Sequence, residues 1–290
     1  YISVTGVQTC ALPIFEGLAP PRTLAAIERA KAGMHGPLPL AIACDLPDWL
    51  VARLLPRFGE AGLLELASGL LEGAPLDLRV NTLRTSREQV LAALAASNLA
   101  AVATPHSAVG VRIAGKPAIN QHTLFKDGSI EVQDEGSQLL CQLVAARRGE
   151  MVADFCAGAG GKTLSLGAMM RSSGRLYAFD VSEPRLSKLR DRVARAGLSN
   201  VQVQRIEGER DVRLTRLAGK LDRVLVDAPC SGLGTLRRNP DLKWRQTEQS
   251  VEEMRARQAQ ILASAARLVK AGGRLVYATC SLLEEENQRD

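Results

Sequence analysis

No apolar run in this 290-residue chain approaches the ~20 residues that a membrane-spanning helix requires, so no membrane span is expected. The six cysteines form no CxxC pair, and none stands at zinc-like spacing from the three histidines, His35, His106 and His122. Neither a disulfide framework nor a metal site is expected, and a reduced, cytoplasmic protein is the simplest reading. All three histidines precede residue 130. The second half therefore lacks the base that a cysteine protease uses to activate its thiol. An initiator Met is also missing, and Tyr1 to Phe15 has neither clear periodicity nor a signal-peptide layout. Residues 1–15 read as a non-native segment joined to a frame beginning near Glu16. The stop at Asp290, soon after the last expected strand, reads as a C-terminal truncation.

Charge is unevenly placed. Residues 1–150 carry 13 Lys/Arg against 14 Asp/Glu, and residues 151–290 carry 24 against 17. A basic second half suits a polyanionic partner such as nucleic acid, and solvated helix faces are the competing reading.

Two organisations follow one another along the chain. From 16 to 72 the spacing is helical, with apolar residues in Leu24–Ala30 and Trp49–Leu71 and a Pro/Gly-punctuated loop over Gly33–Pro47. Leu76–Asn81 alternates like a strand. Thr85 or Ser86 caps a helix through Glu88–Ala96, and short strands are expected near Val111–Ile113 and Ile130–Val132. Residues 16–135 thus form a helical remnant plus a small α+β module. From Gly136 to 290, strands at 151–155, 175–180, 201–205, 221–227 and 273–279 alternate with helices at 136–147, 162–171, 183–196 and 248–270. That pattern predicts an α/β domain with a doubly wound, Rossmann-like parallel sheet. In the last helix, Val251, Met254, Ile261, Leu262, Ala265, Leu268 and Val269 share a core-facing stripe, with Gly272 as its stop.

The strand at 151–155 opens onto Cys156-Ala157-Gly158-Ala159-Gly160-Gly161-Lys162-Thr163. A P-loop requires Gly where Cys156 stands, although Asp227 after an apolar strand imitates the acid of a nucleotide hydrolase. The other reading is a nucleoside-binding turn, in which small residues admit the ligand close to the backbone and the helix from Lys162 offers its N–H groups. An acid at the end of the next strand then binds ribose hydroxyls, and Asp180 stands nineteen residues after Gly161. The alternative for Asp180 is a helix cap.

Cys44 and Cys141 fall in helical stretches and read as small buried hydrophobes. Cys230, in Asp227-Ala228-Pro229-Cys230-Ser231-Gly232, and Cys280, in Tyr277-Ala278-Thr279-Cys280-Ser281, instead follow apolar strands and precede Ser. A thiolate without a histidine base suits addition to an electron-poor ring such as carbon-6 of a pyrimidine. The adduct's carbon-5 then takes a methyl group from a sulfonium donor, and a second polar group helps to dismantle it.

From about Leu76 onward the chain resembles the RNA cytosine-carbon-5 methyltransferases of the RsmB/NOP (Sun) family, whose bacterial members modify ribosomal RNA. The residues that carry the resemblance are DFCAGAGGKT at 154–163, Asp180, DAPCSGLGTLRRNPDLKW at 227–244 and YATCS at 277–281. Leu78-Arg79-Val80-Asn81 and Glu131-Val132-Gln133-Asp134 with Gly136-Ser137-Gln138 add to it. The resemblance implies that Cys280 is the nucleophile, that Cys230 assists product release and that Asp227 contacts the base near the methyl donor. It places S-adenosylmethionine on Cys156, Ala157, Gly158, Ala159, Gly160, Gly161 and Lys162, with Asp180 on its ribose. A further acid near the adenine is Asp211 by first choice and Glu207 by second. The family has Ala-Pro where this chain has Gly158-Ala159, which loosens the turn by ~0.5–1 kcal/mol. For RNA contact the candidates are Arg79, Asn81 and Arg84 in the small module, with Arg237, Arg238, Lys243 and Arg245 near the site. The target cytosine must leave its stack, so single-stranded or looped ribosomal RNA is the expected partner of a monomeric enzyme. A DNA cytosine methyltransferase, in which the Pro-Cys thiol attacks, is the leading alternative. A P-loop hydrolase and a catalytically idle RNA-binding fragment stand behind it.

Overall fold

The computed structural model describes residues 38–288. The expectations for Tyr1–Phe15 and for a helix at Leu24–Ala30 lie outside the described residues. The chain divides into two compact units. The larger holds residues 75–230 and 254–279, and the smaller holds 38–74, 231–253 and 280–288 among those described.

The larger unit contains two sheets. The first is antiparallel, with β2 (Ala101–Ala103), β3 (Gly110–Ile113), β1 (Leu76–Val80) and β4 (Ile130–Val132) in that order. Its core gathers Leu78, Val80, Val111, Ile113 and Ile130 with Val90 and Leu94 of α3 (Arg87–Ala96). Ser86 opens α3 through a capping box, accepting from the Gln89 N–H at 3.3 Å while its own N–H donates to Gln89 Oε1 at 3.0 Å. Edge strand β2 escaped the sequence pattern because it is three residues long and Val102 is exposed. The one-turn helix α4 (Thr123–Lys126) precedes β4.

The second sheet is wholly parallel, in the order β7 (Val201–Arg205), β6 (Arg175–Asp180), β5 (Met151–Asp154), β8 (Leu221–Asp227), β9 (Val269–Ala278). Side chains alternate across it as strand geometry requires. Ala153, Val224 and Val226 pack with Leu214 of α8 (Val212–Thr215) and with Ile261 and Ala265 of α10 (Glu248–Ala266). Val152 and Leu225 face the other way, against Cys141 and Val144 of α5 (Glu135–Val144) and Leu166 of α6 (Gly161–Met169). Helices therefore cover both faces, as expected for a doubly wound sheet. Helix α7 (Glu183–Ala196) follows β6 and ends on Gly197 at φ +75°, a left-handed stop suited to glycine.

Strand order reverses between β5 and β8, which are neighbours although β6 and β7 intervene in sequence. That switch point opens a crevice at the carboxyl ends of the strands, where such sheets bind ligands.

The smaller unit is mainly helical. It contains α1 (Leu40–Cys44), α2 (Asp48–Leu71) and α9 (Leu242–Arg245), and its core joins Leu50, Leu54 and Leu63 to Leu233, Leu236, Val251 and Leu283. The short helix α1 occupies part of the stretch read as a loop. Helix α2 is kinked, with Pro56 inside it and Gly59 at φ +65° and ψ 174°. Proline withdraws one N–H from the ladder and glycine tolerates the departure, which periodicity alone does not register. A second correction concerns the last helix, which ends at Ala266 and not at 270. Val269 already pairs with Leu221, and a register shift between Leu221 and Arg223 absorbs the irregular residues around Gly272. Leu268 and Val269 therefore belong to the approach to β9 and to its first residue, not to the helical stripe.

Candidate active site

The glycine loop leaves β5 at Phe155 and enters α6 with Gly160 as its N-cap. Gly158 and Gly160 take φ of +54° and +88°, in the left-handed region where glycine carries no penalty. At Gly160 there is also no room, since a Cβ there would stand 2.0 Å from Leu189 Cδ1 of α7. At Gly158 a Cβ would meet nothing within 4 Å, so the turn faces open space.

Asp180, the last residue of β6, is buried and holds this turn. Its Oδ2 accepts from the Gly158 N–H and its Oδ1 from the Ser182 N–H, both at 2.8 Å. It thus grips the glycine loop and the turn before α7 without capping that helix, and a carboxylate with about four lone pairs can accept further donors. Lys162, in the first turn of α6, reaches Asp227 at the end of β8 with Nζ–Oδ2 2.6 Å. Burial works against the lysine charge, but the Asp227 carboxylate outweighs it and the ammonium pKa is raised. Both members retain some solvent access, with side-chain exposures of 16% and 33%.

Beneath the loop lies Asp154, whose Oδ2 accepts from Thr163 Oγ1 at 2.7 Å, while its buried Oδ1 has no partner among the described residues. Burial pushes its pKa up to about 7. The sequence reading missed this residue, although an acid closing β5 ahead of the glycines was visible. It also missed Gln133, buried and bonded through Oε1 to Arg79. A Cβ on Gly161 would stand 3.9 Å from its Nε2, and that nitrogen has no partner among the described residues. Arg192 of α7 was missed as well, hidden among the charges of its helix. It donates to the Ala159 carbonyl at 2.6 Å and to Glu131 Oε2 at 2.9 Å, which links β4 to the glycine loop.

Cys156 follows β5, and burial pushes its thiol far above the ordinary range, as burial also raises Cys141 to about 11. Neither is a nucleophile near neutral pH. Ala228 N donates to the Ala278 carbonyl at 2.9 Å, extending the β8–β9 ladder by one bond. Gln258 of α10, fully buried, donates to the Pro229 carbonyl at 2.9 Å, so that helix does more than pack the core. Cys230 then stands half-buried past the strand end.

Cys280 belongs to the smaller unit and is exposed. Its carbonyl accepts from the Gly234 N–H at 2.8 Å, and a Cβ on Gly234 would stand 2.8 Å from that oxygen. Only glycine allows the loop after Pro-Cys to lie against the Cys280 backbone.

The family model described as 16S rRNA methyltransferase RsmB/F matches residues 141–290. The chain belongs to this family. The model for the RsmF/B-like ferredoxin-like domain matches residues 46–120. A "Probable ribosomal RNA small subunit methyltransferase B" of Synechocystis is 40% identical over 250 residues, covering 84% of this chain and 55% of that one. Its counterpart in Sodalis glossinidius is 35% identical, covering 83% and 55%. The chain therefore spans about half the length of the curated relatives it matches. A methyltransferase homologue from Pyrococcus horikoshii aligns with TM-score 0.76 at 29% identity, covering 86% of this chain and 78% of that one. NSun6 from the same organism, solved with SFG, aligns with the same TM-score at 21% identity, covering 84% and 85%, a likeness of fold.

Within this family member the RNA-contact candidates divide. Arg79 is buried against Gln133, and burial lowers its pKa. Asn81 is buried with its Nδ2 donating to the Gly128 and Ala196 carbonyls at 2.9 and 3.0 Å. Arg84 Nη2 donates to the Arg195 carbonyl at 2.9 Å. Asn81 and Arg84 bind the antiparallel module to α7. The burial of Arg79 and Asn81 corrects the expectation that they face RNA, whereas Arg84 is exposed. Lys243 is buried on Asp45 at 2.5 Å and is corrected likewise. Polar partners distant in sequence, invisible in the local letters, hold Arg79, Asn81 and Lys243 inside. Arg237 donates to the Glu72 and Gly73 carbonyls at 3.2 and 3.0 Å. Arg238 is exposed, and Arg245, with Asp241 at 2.9 Å, is also exposed. Asp211 caps α8 and its oxygens accept from the Arg213 and Glu207 N–H groups, at 2.8 and 2.9 Å. Those bonds hold its pKa low. Glu207 sits exposed in the same loop. Among the described residues, no helix is long and apolar enough to cross a membrane.

Proposed function

We propose that this chain transfers a methyl group from S-adenosylmethionine to carbon-5 of a cytosine in RNA, with small-subunit ribosomal RNA in the cytoplasm as its substrate. The observation that carries the reading is the Lys162–Asp227 pair at 2.6 Å. It joins the glycine loop after β5 to the acid three residues before Cys230, at the switch point of the sheet. Membership of the family supplies the reaction class.

The chain fits the donor. Open space over Gly158, the Gln133 nitrogen by Gly161 that has no partner among the described residues and the remaining lone pairs of Asp180 are what a nucleoside with a polar tail would use. Asp180 would take the ribose, with Cys156 to Lys162 along the tail and Asp211 or Glu207 beyond. S-adenosylmethionine supplies an electrophilic methyl group. Cys280, the exposed thiol, adds to carbon-6 of the cytosine, which makes carbon-5 nucleophilic. After methyl transfer the carbon-5 proton leaves and the Cys280–carbon-6 bond breaks, with Cys230 assisting that elimination. Asp227 orients the base while Lys162 balances its charge. Arg238 and Arg245 contact phosphates.

The test is incubation of the protein with methyl-labelled S-adenosylmethionine and ribosomal RNA, followed by nucleoside mass spectrometry. Labelled 5-methylcytidine is expected. Label on another nucleoside, or on DNA alone, would contradict the reading.

A further inference from the structure

The smaller unit holds a carboxylate that the proposed chemistry does not use. Glu286 is fully buried in the 3₁₀ turn Glu284–Glu286. Its Oε1 accepts from the Ser231 N–H at 2.8 Å and its Oε2 from the Ser231 hydroxyl at 2.5 Å. Both donors belong to the residue directly after Cys230. Ser231 is itself buried, and its carbonyl accepts from Gln246 Nε2 at 2.9 Å.

The bonding has a direction. Ser231 Oγ lies 3.1 Å from Ser281 Oγ. A hydroxyl has one proton, and that of Ser231 goes to Glu286, so Ser231 must accept from Ser281. Ser281 Oγ in turn accepts from the Leu283 N–H at 3.0 Å, and the Ser281 carbonyl accepts from Asn287 Nδ2 at 3.2 Å. Ser281 is the residue directly after Cys280. A relay from Ser281 to Ser231 to Glu286 therefore ties together the residues that follow the two cysteines. The Gly234–Cys280 backbone bond, at 2.8 Å, reinforces it.

We propose that Glu286 is a positioning residue for the thiol chemistry, holding Ser231 and Ser281, the residues that follow Cys230 and Cys280 in sequence. The inference rests on the methyltransferase reading above. A buried carboxylate is costly unless its oxygens are occupied by donors, and here the donors are those whose placement matters. Glu286 touches no reacting atom in this account and acts through Ser231.

Three proteins test it: the parent chain, Glu286→Ala and Glu286→Gln. For each, kcat and KM are measured on RNA, S-adenosylmethionine affinity by calorimetry and stability by thermal melting. Removing the carboxylate should lower kcat about a hundred-fold, the cost of small misplacements of reacting groups. KM and donor affinity should stay within about threefold, since the relay touches neither binding surface. Glu286→Gln can still accept from the Ser231 N–H and can donate to its hydroxyl, reversing the relay, and should recover about tenfold of the lost rate. Unchanged kcat in a folded Glu286→Ala would overturn the proposal. So would an equal loss of rate, donor affinity and thermal stability in both variants, which is the mark of a merely structural group. A parent protein that binds the donor but methylates no RNA would overturn the function reading, and this inference with it.

Discussion

Lys162 and Asp227, 65 positions apart in sequence, meet at 2.6 Å across the crevice between β5 and β8. A lysine in Gly-Lys-Thr that served a P-loop would point its ammonium at phosphates, and the acid after β8 would take the magnesium ion. Here each is the other's partner, and Cys156 occupies the position where a P-loop needs glycine. Both features disfavour a nucleotide hydrolase and favour a nucleoside-type turn with a charge-balanced acid beside it.

Donor binding tests that turn. Asp180→Ala removes the carboxylate that accepts from Gly158 and Ser182, and with it the proposed ribose contact. S-adenosylmethionine affinity should fall roughly ten- to a hundred-fold, the equivalent of ~1.5–3 kcal/mol for hydrogen bonds to a charged group. Calorimetry reads it directly. Unchanged affinity, or tight ATP binding by the parent, would count against the assignment.

The buried acid Asp154 makes a pH prediction. Its folded pKa is raised to about 7 by burial, above the ~3.9 of an exposed aspartate. The folded state therefore holds a proton that the unfolded chain has released, and this group's contribution to stability falls as pH rises from about 4 to about 7. Asp154→Asn keeps the shape and removes the titration. Its stability relative to the parent should improve by ~2–3 kcal/mol between pH 5 and pH 8, measured by denaturant unfolding. A difference that stays constant over that interval would show that Asp154 does not titrate there.

Much of this was legible in the letters. Apolar runs gave four of the parallel strands, because a buried strand needs a continuous apolar sequence, and apolar/polar alternation gave the edge strand β7, Val201-Gln202-Val203-Gln204-Arg205. The motifs gave Asp180, Asp227, Cys230 and Cys280 as strand-end residues. What escaped depends on neighbours distant in sequence. Nothing local distinguishes Arg79, which is buried against Gln133, from the exposed Arg238. The kink at Gly59 and the early end of α10 at Ala266 were hidden because periodicity runs through both. Glu286 sits in a run of three glutamates that reads as solvated charge, yet it is the buried one.

The revised basic surface makes a salt prediction. Replacing Arg238 and Arg245 together by Ala should flatten the dependence of RNA affinity on salt by about 1.4 units of log–log slope, near 0.7 for each phosphate contact on a single strand. Arg79→Ala and Lys243→Ala, buried in the structure, should instead lower thermal stability and leave that slope alone. Filter binding across a salt series separates the two classes. Equal slopes for the parent and the Arg238/Arg245 variant would remove these residues from the RNA interface.

The division of labour between the thiols is the centre of the account, and trapping the covalent adduct tests it most directly. Cys280→Ala and Cys230→Ala are each incubated with RNA and S-adenosylmethionine and resolved on a denaturing gel. With exposed Cys280 as nucleophile, Cys280→Ala should form no covalent complex and transfer no methyl group. Cys230→Ala should attack and methylate, then stall as a retarded protein–RNA band. A covalent complex formed by Cys280→Ala but not by Cys230→Ala would contradict the account, and would assign attack to the Pro-Cys thiol.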